Sequence, residues 1–440
     1  MLAVGLSAIH KAHLAAALGL DTGRPVLVLT DDDNAANRFA ADLRGFSERD
    51  IVQLPSRELV MADVVGVSRG YEQRRLAALD ELTEAHFAVA SVQAAAQRTM
   101  PPEALKAAIV SLATGETAPL DELAQSLTRA GYERCVQVEG TGQFSIRGGI
   151  LDVFPPQAEH PYRVEFWDDE IDSISTFDVG SQRRLEQCES LRCLPCMESI
   201  PALAKGGAAG LAKAVLALTS TRRKKQHADL QTNLERDAER LRETGSLPAA
   251  DKYMPLIYPE MATAFDYLPE NAIVIIEDTP RLRDAVRDFH ARVADDVTAL
   301  LERGEMPPAL GEYALDFVGV CSVKRQILRL GSFLNNVAEL TPQHLENFIA
   351  NQMNAYGGNL DMASADIRSY TEQGRAVAVV CGSALRCQNM LDALTDTGLN
   401  VKISDLLPKG GCVNIMEGTL SAGFEYPDLG LVVMTEGQVL

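Results

Sequence analysis

Apolar and polar side chains alternate through Gly142-Gln143-Phe144-Ser145-Ile146-Arg147-Gly148-Gly149-Ile150-Leu151-Asp152-Val153-Phe154, and the alternation resumes in Arg163-Val164-Glu165-Phe166-Trp167. Side chains two residues apart project from the same side of a strand, so this period predicts strands with one buried face. The opposite face would carry polar or aromatic side chains from two strands: Ser145, Arg147, Arg163, Glu165 and Trp167. Arginine and tryptophan are enriched among residues that dominate interface energies, so we predict a docking surface here.

The composition is that of a globular protein with several domains. A length of 440 residues predicts three or four domains of roughly 100 to 150 residues each. The net charge of -20 disfavours a general nucleic-acid surface and leaves only a local basic patch open. The eight cysteines show no compact disulfide framework, and the apolar runs are too short for a membrane span or a signal peptide. We expect free thiols, a cytoplasmic location and no membrane partner.

The first hundred residues alternate strand and helix. We predict strands at Leu2–Val4, 26–29 and 87–92, and helices at 9–18 and 34–46. Such alternation is typical of a parallel sheet with helical crossovers.

The first strand is followed by a segment with the length of a phosphate-binding loop, Gly5-Leu6-Ser7-Ala8-Ile9-His10-Lys11-Ala12. His10 replaces the second glycine of that motif, and Ala12 replaces the hydroxyl that ligates Mg²⁺. Lys11 alone cannot restore the site. We therefore predict a degenerate loop (Gly5, His10, Lys11, Ala12) that binds no cofactor; the alternative is nucleotide chemistry through Lys11.

No pattern of metal ligands stands out. Acidic residues follow two strands, at 31–33 and 277–278, but they suit helix caps, as in Asp278-Thr279-Pro280. Cys193 and Cys196 have zinc spacing without a second ligand pair. His10 and His13 are equally isolated, so we predict no metal site.

The later chain alternates again between strands and helices. A helix at 120–130 precedes the strand-rich stretch, and a helical region at 202–244 contains the basic run Arg222-Arg223-Lys224-Lys225. That run is either a nucleic-acid patch or, as we favour, a solvated helix face. The remaining predicted elements are strands at 272–276, 314–321, Gln326–Leu330, Ala376–Cys381, 401–404, 413–416 and Leu431–Thr435, helices at 281–302 and Ala384–Asp396, and a polar helical passage at 341–354.

The motifs around residues 142–183 resemble a known module. Gly142 to Pro155, then Arg163 to Ile171, then Phe177-Asp178-Val179-Gly180-Ser181-Gln182-Arg183, are similar to the module shared by the excision-repair subunit UvrB and the transcription-repair coupling factors (Mfd). Two departures favour the coupling-factor family. UvrB keeps a working phosphate loop and a tyrosine-rich hairpin, whereas here the loop is degenerate and the segment 54–70 is short and lacks tyrosine.

The resemblance implies a multidomain α/β architecture. It consists of a UvrB-like parallel-sheet domain with a degenerate loop (1–108), an inserted α+β UvrA-binding module (109–195), a second UvrB-like α/β domain (196–335), a linker (336–354) and a small α/β domain (355–440).

The resemblance also implies function. The family positions that contact the damage-recognition ATPase UvrA fall on Arg147, Arg163 and Trp167, the last being commonly phenylalanine in the family. The expected role is an adaptor without ATPase activity that recruits UvrA; the alternative is a UvrB-like, nucleotide-dependent DNA-processing enzyme. RNA polymerase, double-stranded DNA, ATP and Mg²⁺ are expected to bind domains beyond residue 440. One of those domains is expected to mask the UvrA-binding face.

Overall fold

The computed structural model describes residues 1–62, 69–218, 228–307, 310, 312–335, 337–404 and 410–440. The strands in this part of the chain are β1 (Leu2–Val4), β2 (Val26–Thr30), β3 (Ile51–Leu54), β4 (Phe87–Ser91), β5 (Val110–Ala113), β6 (Glu133–Arg134), β7 (Gln143–Arg147), β8 (Ile150–Val153), β9 (Tyr162–Trp167), β10 (Glu170–Phe177), β11 (Arg184–Cys188), β12 (Ser190–Cys193), β13 (Ile273–Glu277), β14 (Gln326–Leu330), β15 (Leu345–Asn347), β16 (Asn351–Gln352), β17 (Ala376–Cys381), β18 (Val401–Ile403), β19 (Val413–Glu417), β20 (Phe424–Tyr426) and β21 (Leu431–Thr435).

The α-helices are α1 (Ala8–Thr22), α2 (Asp33–Arg44), α3 (Gly70–Leu82), α4 (Val92–Ala96), α5 (Pro102–Ala108), α6 (Leu120–Arg129), α7 (Gly207–Ala217), α8 (Ala228–Thr244), α9 (Met254–Ile257), α10 (Thr279–Glu302), α11 (Phe317–Cys321), α12 (Leu360–Glu372), α13 (Ala384–Asp396) and α14 (Glu436–Val439). Short 3₁₀ turns lie at Pro201–Leu203, Ala250–Tyr253, Ala264–Tyr267, Ala338–Leu340 and Pro427–Leu429. Within the described ranges, no helix has both the length and the apolar character needed to cross a membrane.

The largest sheet is entirely parallel, with strand order β15-β1-β14-β13-β2-β4-β3. Strand β2 is buried along its whole length, as expected where helices cover both faces of a parallel sheet. Two apolar clusters pack against this sheet. The predicted α/β class with a parallel sheet is confirmed, and strands from the first hundred residues and from 273–347 share this one sheet.

Residues 110–193 form a separate module. Its six-stranded sheet has the order β11-β10-β9-β8-β7-β6, antiparallel except for the β6–β7 pair. A ribbon of β5 and β12 joins the module's start to its end, and α6 packs on the same core through Leu123 and Leu127. The main core covers one face of the sheet, and a small second cluster of Val138, Phe154 and Phe177 meets the Arg163 side chain on the other face.

The last sheet has the order β16-β20-β21-β17-β19-β18, with the four strands from β21 to β18 parallel. It packs against α1, because Phe424 and Tyr426 share an apolar cluster with Ile9 and Phe46. Asp42 of α2 accepts hydrogen bonds from both the amide and the hydroxyl of Ser421, at 2.8 Å each.

Two predicted elements are wrong. The strand at 314–321 is instead the short helix α11, because the Asp316 side chain accepts from the Gly319 amide and caps a helical turn. The helical passage at 341–354 instead supplies two strands. Its backbone groups pair with the edges of existing sheets: β15 lies beside β1, and β16 lies beside β20. This segment therefore links the large parallel sheet to the last sheet through backbone hydrogen bonds.

Candidate functional site: one face of the inserted module

Two tight hairpins hold the strands that carry the predicted docking residues. Strands β7 and β8 are joined by Gly148 and Gly149, and Gly148 has a φ of +60°, which glycine adopts without strain. Strands β9 and β10 are joined at Asp168, also at φ +60°, a conformation that aspartate tolerates in tight turns. These turns fix the register, so that Asp152 lies opposite Arg163 on the neighbouring strand.

The alternation along these strands separates the two faces of the sheet. Phe144, Leu151 and Val164 are fully buried on the inner side. The outer side carries what we call the docking face, defined by Arg147, Asp152, Arg163, Glu165 and Trp167. This division follows from the period of two in the strands.

Trp167 is the most exposed member of the docking face, with 81% of its surface accessible. It ends β9, where the chain turns away at Asp168. The predicted outward orientation of the indole is confirmed. Tryptophan combines a large apolar ring with a polar N–H group and is enriched at protein interfaces, which is why this ring is the candidate contact residue.

Both predicted arginines donate to one buried carboxylate. Asp152 is 1% exposed; its Oδ1 accepts from Arg163 Nε at 2.7 Å, and its Oδ2 accepts from Arg163 Nη2 at 2.8 Å and from Arg147 Nη2 at 2.7 Å. The sequence prediction gave Asp152 no role. Its alternation with the apolar Leu151 and Val153 on β8 was the available signal that it faces the polar side of the sheet.

The two arginines differ in exposure. The Arg147 side chain is 50% exposed, whereas that of Arg163 is 16% exposed. The Arg163 guanidinium also lies over the buried ring of Phe177, 4.5 Å from its centroid. Its hydrogen bonds with Asp152 raise the pKa of Arg163, although burial acts in the opposite direction.

A second ion pair lies between the arginine pair and the tryptophan. Glu165 accepts hydrogen bonds from Arg184 and from the Ser173 hydroxyl. The hydrogen bond from Arg184 lowers the pKa of Glu165. Since Arg163 and Trp167 are four residues apart on one strand, about 13 Å separates their backbones. The docking face is therefore a strip with cations at one end and an aromatic ring at the other.

Ser145 does not belong to the exposed part of this strip. It is 1% exposed and donates to the Val136 carbonyl at 2.9 Å. The expectation that it faces solvent is wrong, because the segment that follows β6 runs beside β7 and its Val136 carbonyl accepts the Ser145 hydroxyl.

The segment predicted to be a degenerate phosphate loop, residues 5–12, contacts other groups of the protein. Gly5 has a φ of +83°, and a Cβ built on it would lie 2.2 Å from the Phe348 carbonyl oxygen. His10 is buried, with Nδ1 2.7 Å from the Ser7 hydroxyl and Nε2 3.4 Å from the Glu425 carbonyl. Ala12 is buried as well, and Lys11 pairs with Glu277.

The described ranges contain no group of three or more potential metal-ligating side chains. Cys193 and Cys196 are both buried, and burial raises the pKa of Cys193 to about 12. A thiol with so high a pKa is a poor nucleophile at neutral pH. The basic run Arg222 to Lys225 lies outside the described residues.

The module and the whole chain are both similar to known proteins. The model of the UvrB interaction domain matches residues 110–198. Over its whole length the chain is 30% identical to the transcription-repair-coupling factor of Bacillus subtilis, and covers 38% of that protein. Along its whole length, the chain is similar to a transcription-repair-coupling factor. Those of Mycobacterium tuberculosis and Haemophilus influenzae are 27% and 28% identical, over 98% and 62% of this chain and 36% and 24% of their own lengths.

The chain thus spans less than two fifths of the length of these transcription-repair-coupling factors. The match to the UvrB interaction domain covers every strand of the module, from β5 to β12. The docking face lies entirely within it.

Proposed function

We propose that this chain is an adaptor that recruits the damage-recognition ATPase UvrA through the docking face, in transcription-coupled nucleotide excision repair. The observation that carries the proposal is the exposed indole of Trp167 on the same sheet face as the half-exposed Arg147, inside a UvrB interaction domain. Aromatic and arginine side chains with this exposure are the usual anchors of protein interfaces.

The 440 residues correspond, in this proposal, to the UvrB-like amino-terminal region and the following small domain of a coupling factor. The complete protein would bind RNA polymerase and double-stranded DNA, and would move on DNA by ATP hydrolysis, through parts outside these residues. The present chain contributes the recruitment step and no nucleotide chemistry. Its phosphate-loop cation is paired with Glu277, which supports this division.

Titration of UvrA with the chain tests the proposal. Truncating one interface anchor costs roughly 2 kcal/mol, so Trp167→Ala should weaken binding by about thirtyfold. Tyr71→Ala is the matched control, because Tyr71 is an exposed aromatic residue on α3, outside the module. The proposal predicts unchanged affinity for the control. Equal affinities for the wild type and for Trp167→Ala, with both chains folded, would remove the docking face from UvrA recruitment.

A further inference from the structure

The arginines of the docking face are not equivalent, and the buried carboxylate between them explains the difference. Strand β8 lies between β7 and β9, so Asp152 reaches Arg147 on one side and Arg163 on the other. Two guanidinium groups and one carboxylate leave a net positive charge at this place. The pairing holds two like charges close together that would otherwise repel each other.

The N–H groups of Arg163 donate to acceptors within the module. Its Nε and Nη2 bind Asp152, while Nη1 and Nη2 lie 3.4 Å from the Gln182 carbonyl and 3.3 Å from its Oε1. Its plane covers Phe177. A group that is 16% exposed and bonded in this way has little left to offer a partner.

Arg147 makes fewer hydrogen bonds than Arg163 and is more exposed. The structure gives it a single hydrogen bond among the described residues, from Nη2 to Asp152. A guanidinium carries five N–H groups, so roughly four remain to bind a carboxylate or carbonyl of another molecule. A cation that is held at one corner and otherwise exposed is preorganised for a partner.

We infer that Asp152 is the positioning residue of the docking face: it fixes both guanidinium groups so that Arg147, rather than Arg163, meets an acidic side chain of the partner. The inference rests on the proposed binding of UvrA and specifies which cation makes the contact. Arg163 acts through Asp152 and Phe177, as part of the support.

A double-mutant cycle with UvrA separates positioning from a merely structural role. Asp152→Asn keeps the shape and removes the charge. It should weaken UvrA binding about tenfold in the wild-type chain and less than about threefold when Arg147 is already alanine. Equal losses in the two backgrounds would overturn the inference. Asp80→Asn is the matched control and should leave UvrA affinity unchanged, because it removes a carboxylate from an ion pair with Arg192 outside the docking face.

A comparison of lysine variants keeps the inference testable if Asp152→Asn fails to fold. Lysine keeps the charge but loses the planar fork of N–H groups. Arg147→Lys should weaken UvrA binding several-fold more than Arg163→Lys does, since Arg147 alone makes the outward contact. A larger loss for Arg163→Lys would show that Arg163 meets the partner and would sink the assignment.

Hydrogen exchange of the arginine Nε–H groups in the free chain tests positioning without UvrA. The Arg163 Nε–H, bound to Asp152, should exchange slowly in the wild type and at least tenfold faster in Asp152→Asn. Unchanged exchange would refute the positioning role. A wild-type chain that shows slow exchange yet no UvrA binding would instead refute the proposed function, so the two failures are distinguishable.

Discussion

The ammonium group of Lys11 lies 3.3 Å from the Glu277 carboxylate, and both side chains are largely withdrawn from water. Lys11 lies in the first turn of α1, within the loop segment of residues 5–12, and Glu277 is the last residue of β13 in the large parallel sheet. In a working phosphate loop the lysine at this place binds the β- and γ-phosphates. Here its charge is neutralised within the protein.

We predict that Mg·ATP does not bind at this loop and that Lys11 contributes to stability instead. Lys11→Met leaves the Glu277 carboxylate without its partner, so the free energy of unfolding should fall by about 1 to 3 kcal/mol. Denaturant unfolding measures this, with Lys213→Met on the exposed side of α7 as the nearly neutral control. Equilibrium dialysis that shows saturable ATP binding, lost in Lys11→Met, would contradict the prediction.

The Gly5 backbone provides a second test of how the loop is closed. The Phe348 amide donates to the Val4 carbonyl at 3.0 Å, and the Phe348 carbonyl approaches Gly5. Gly5→Ala adds both left-handed strain and a clash with backbone, so β15 must shift away from β1.

The matched control is Gly23→Ala, because Gly23 has a φ of +65° but open space around its Cβ position. The control should cost about 1 kcal/mol of unfolding free energy from strain alone, and Gly5→Ala should cost at least about 2 kcal/mol more. If Gly5→Ala and Gly23→Ala lowered the free energy of unfolding equally, the Phe348 backbone would move without cost and would not restrict the segment around Gly5.

The sequence could predict the strands of the module and the direction of Trp167, because an antiparallel sheet with one wet face has a clean period of two. It could not predict that Ser145 is covered, since the period says which face a side chain occupies and not which loop crosses that face. The pairing of Asp152 with two arginines depends on the register of three strands, which a single-strand pattern does not contain.

The misassigned elements have a similar cause. Val318 and Val320 favour a strand by propensity, but the Asp316 cap decides for α11. The segment 341–354 is polar enough for an exposed helix. Its backbone instead pairs with two edge strands far away in the sequence, β1 and β20. In both places a specific hydrogen bond outweighs local propensity.

A buried network of charges ties the end of the module to the large parallel unit. Glu198 Oε1 accepts from Arg57 Nε at 2.8 Å and lies 3.1 Å from Arg75 Nε, while Arg57 also pairs with Asp251 at 2.6 Å. Burial alone would lower the pKa of Arg57, but the charges of Asp251 and Glu198 raise it well above its usual value. The Arg57 guanidinium therefore stays charged.

We predict that Glu198→Gln lowers the free energy of unfolding by about 3 to 5 kcal/mol, because it leaves two arginines buried without their shared partner. Asp80→Asn is the control: Asp80 pairs with Arg192 at the surface, between the same two parts of the chain, and should cost less than about 1 kcal/mol. Urea denaturation measures both. Similar small losses would show that the buried network does not hold the module in place.

Two histidines lie in the contact between α1 and β20 and make that contact sensitive to acid. His10 touches the rings of Phe424 and Tyr426, and His13 Nδ1 lies 3.1 Å from the Tyr426 hydroxyl. Burial lowers the pKa of His10, and burial together with the charge of His10 lowers that of His13. Both therefore remain neutral in the folded protein at a pH where the unfolded chain has begun to bind protons.

A histidine whose folded pKa lies below its unfolded value of about 6.5 contributes stability that is present above that pH and is lost as the pH falls. In this window, protonation of each histidine in the unfolded chain lowers the free energy of unfolding by at most about 1.4 kcal/mol per pH unit. We therefore predict that the free energy of unfolding falls between pH 6.5 and 5 and that His13→Phe, which keeps a ring among Phe46, Phe424 and Tyr426, reduces that slope. His344→Gln serves as the control, because His344 is exposed beside Glu346. If His13→Phe and the wild type lost stability equally on acidification, protonation at the α1–β20 contact would not be the cause.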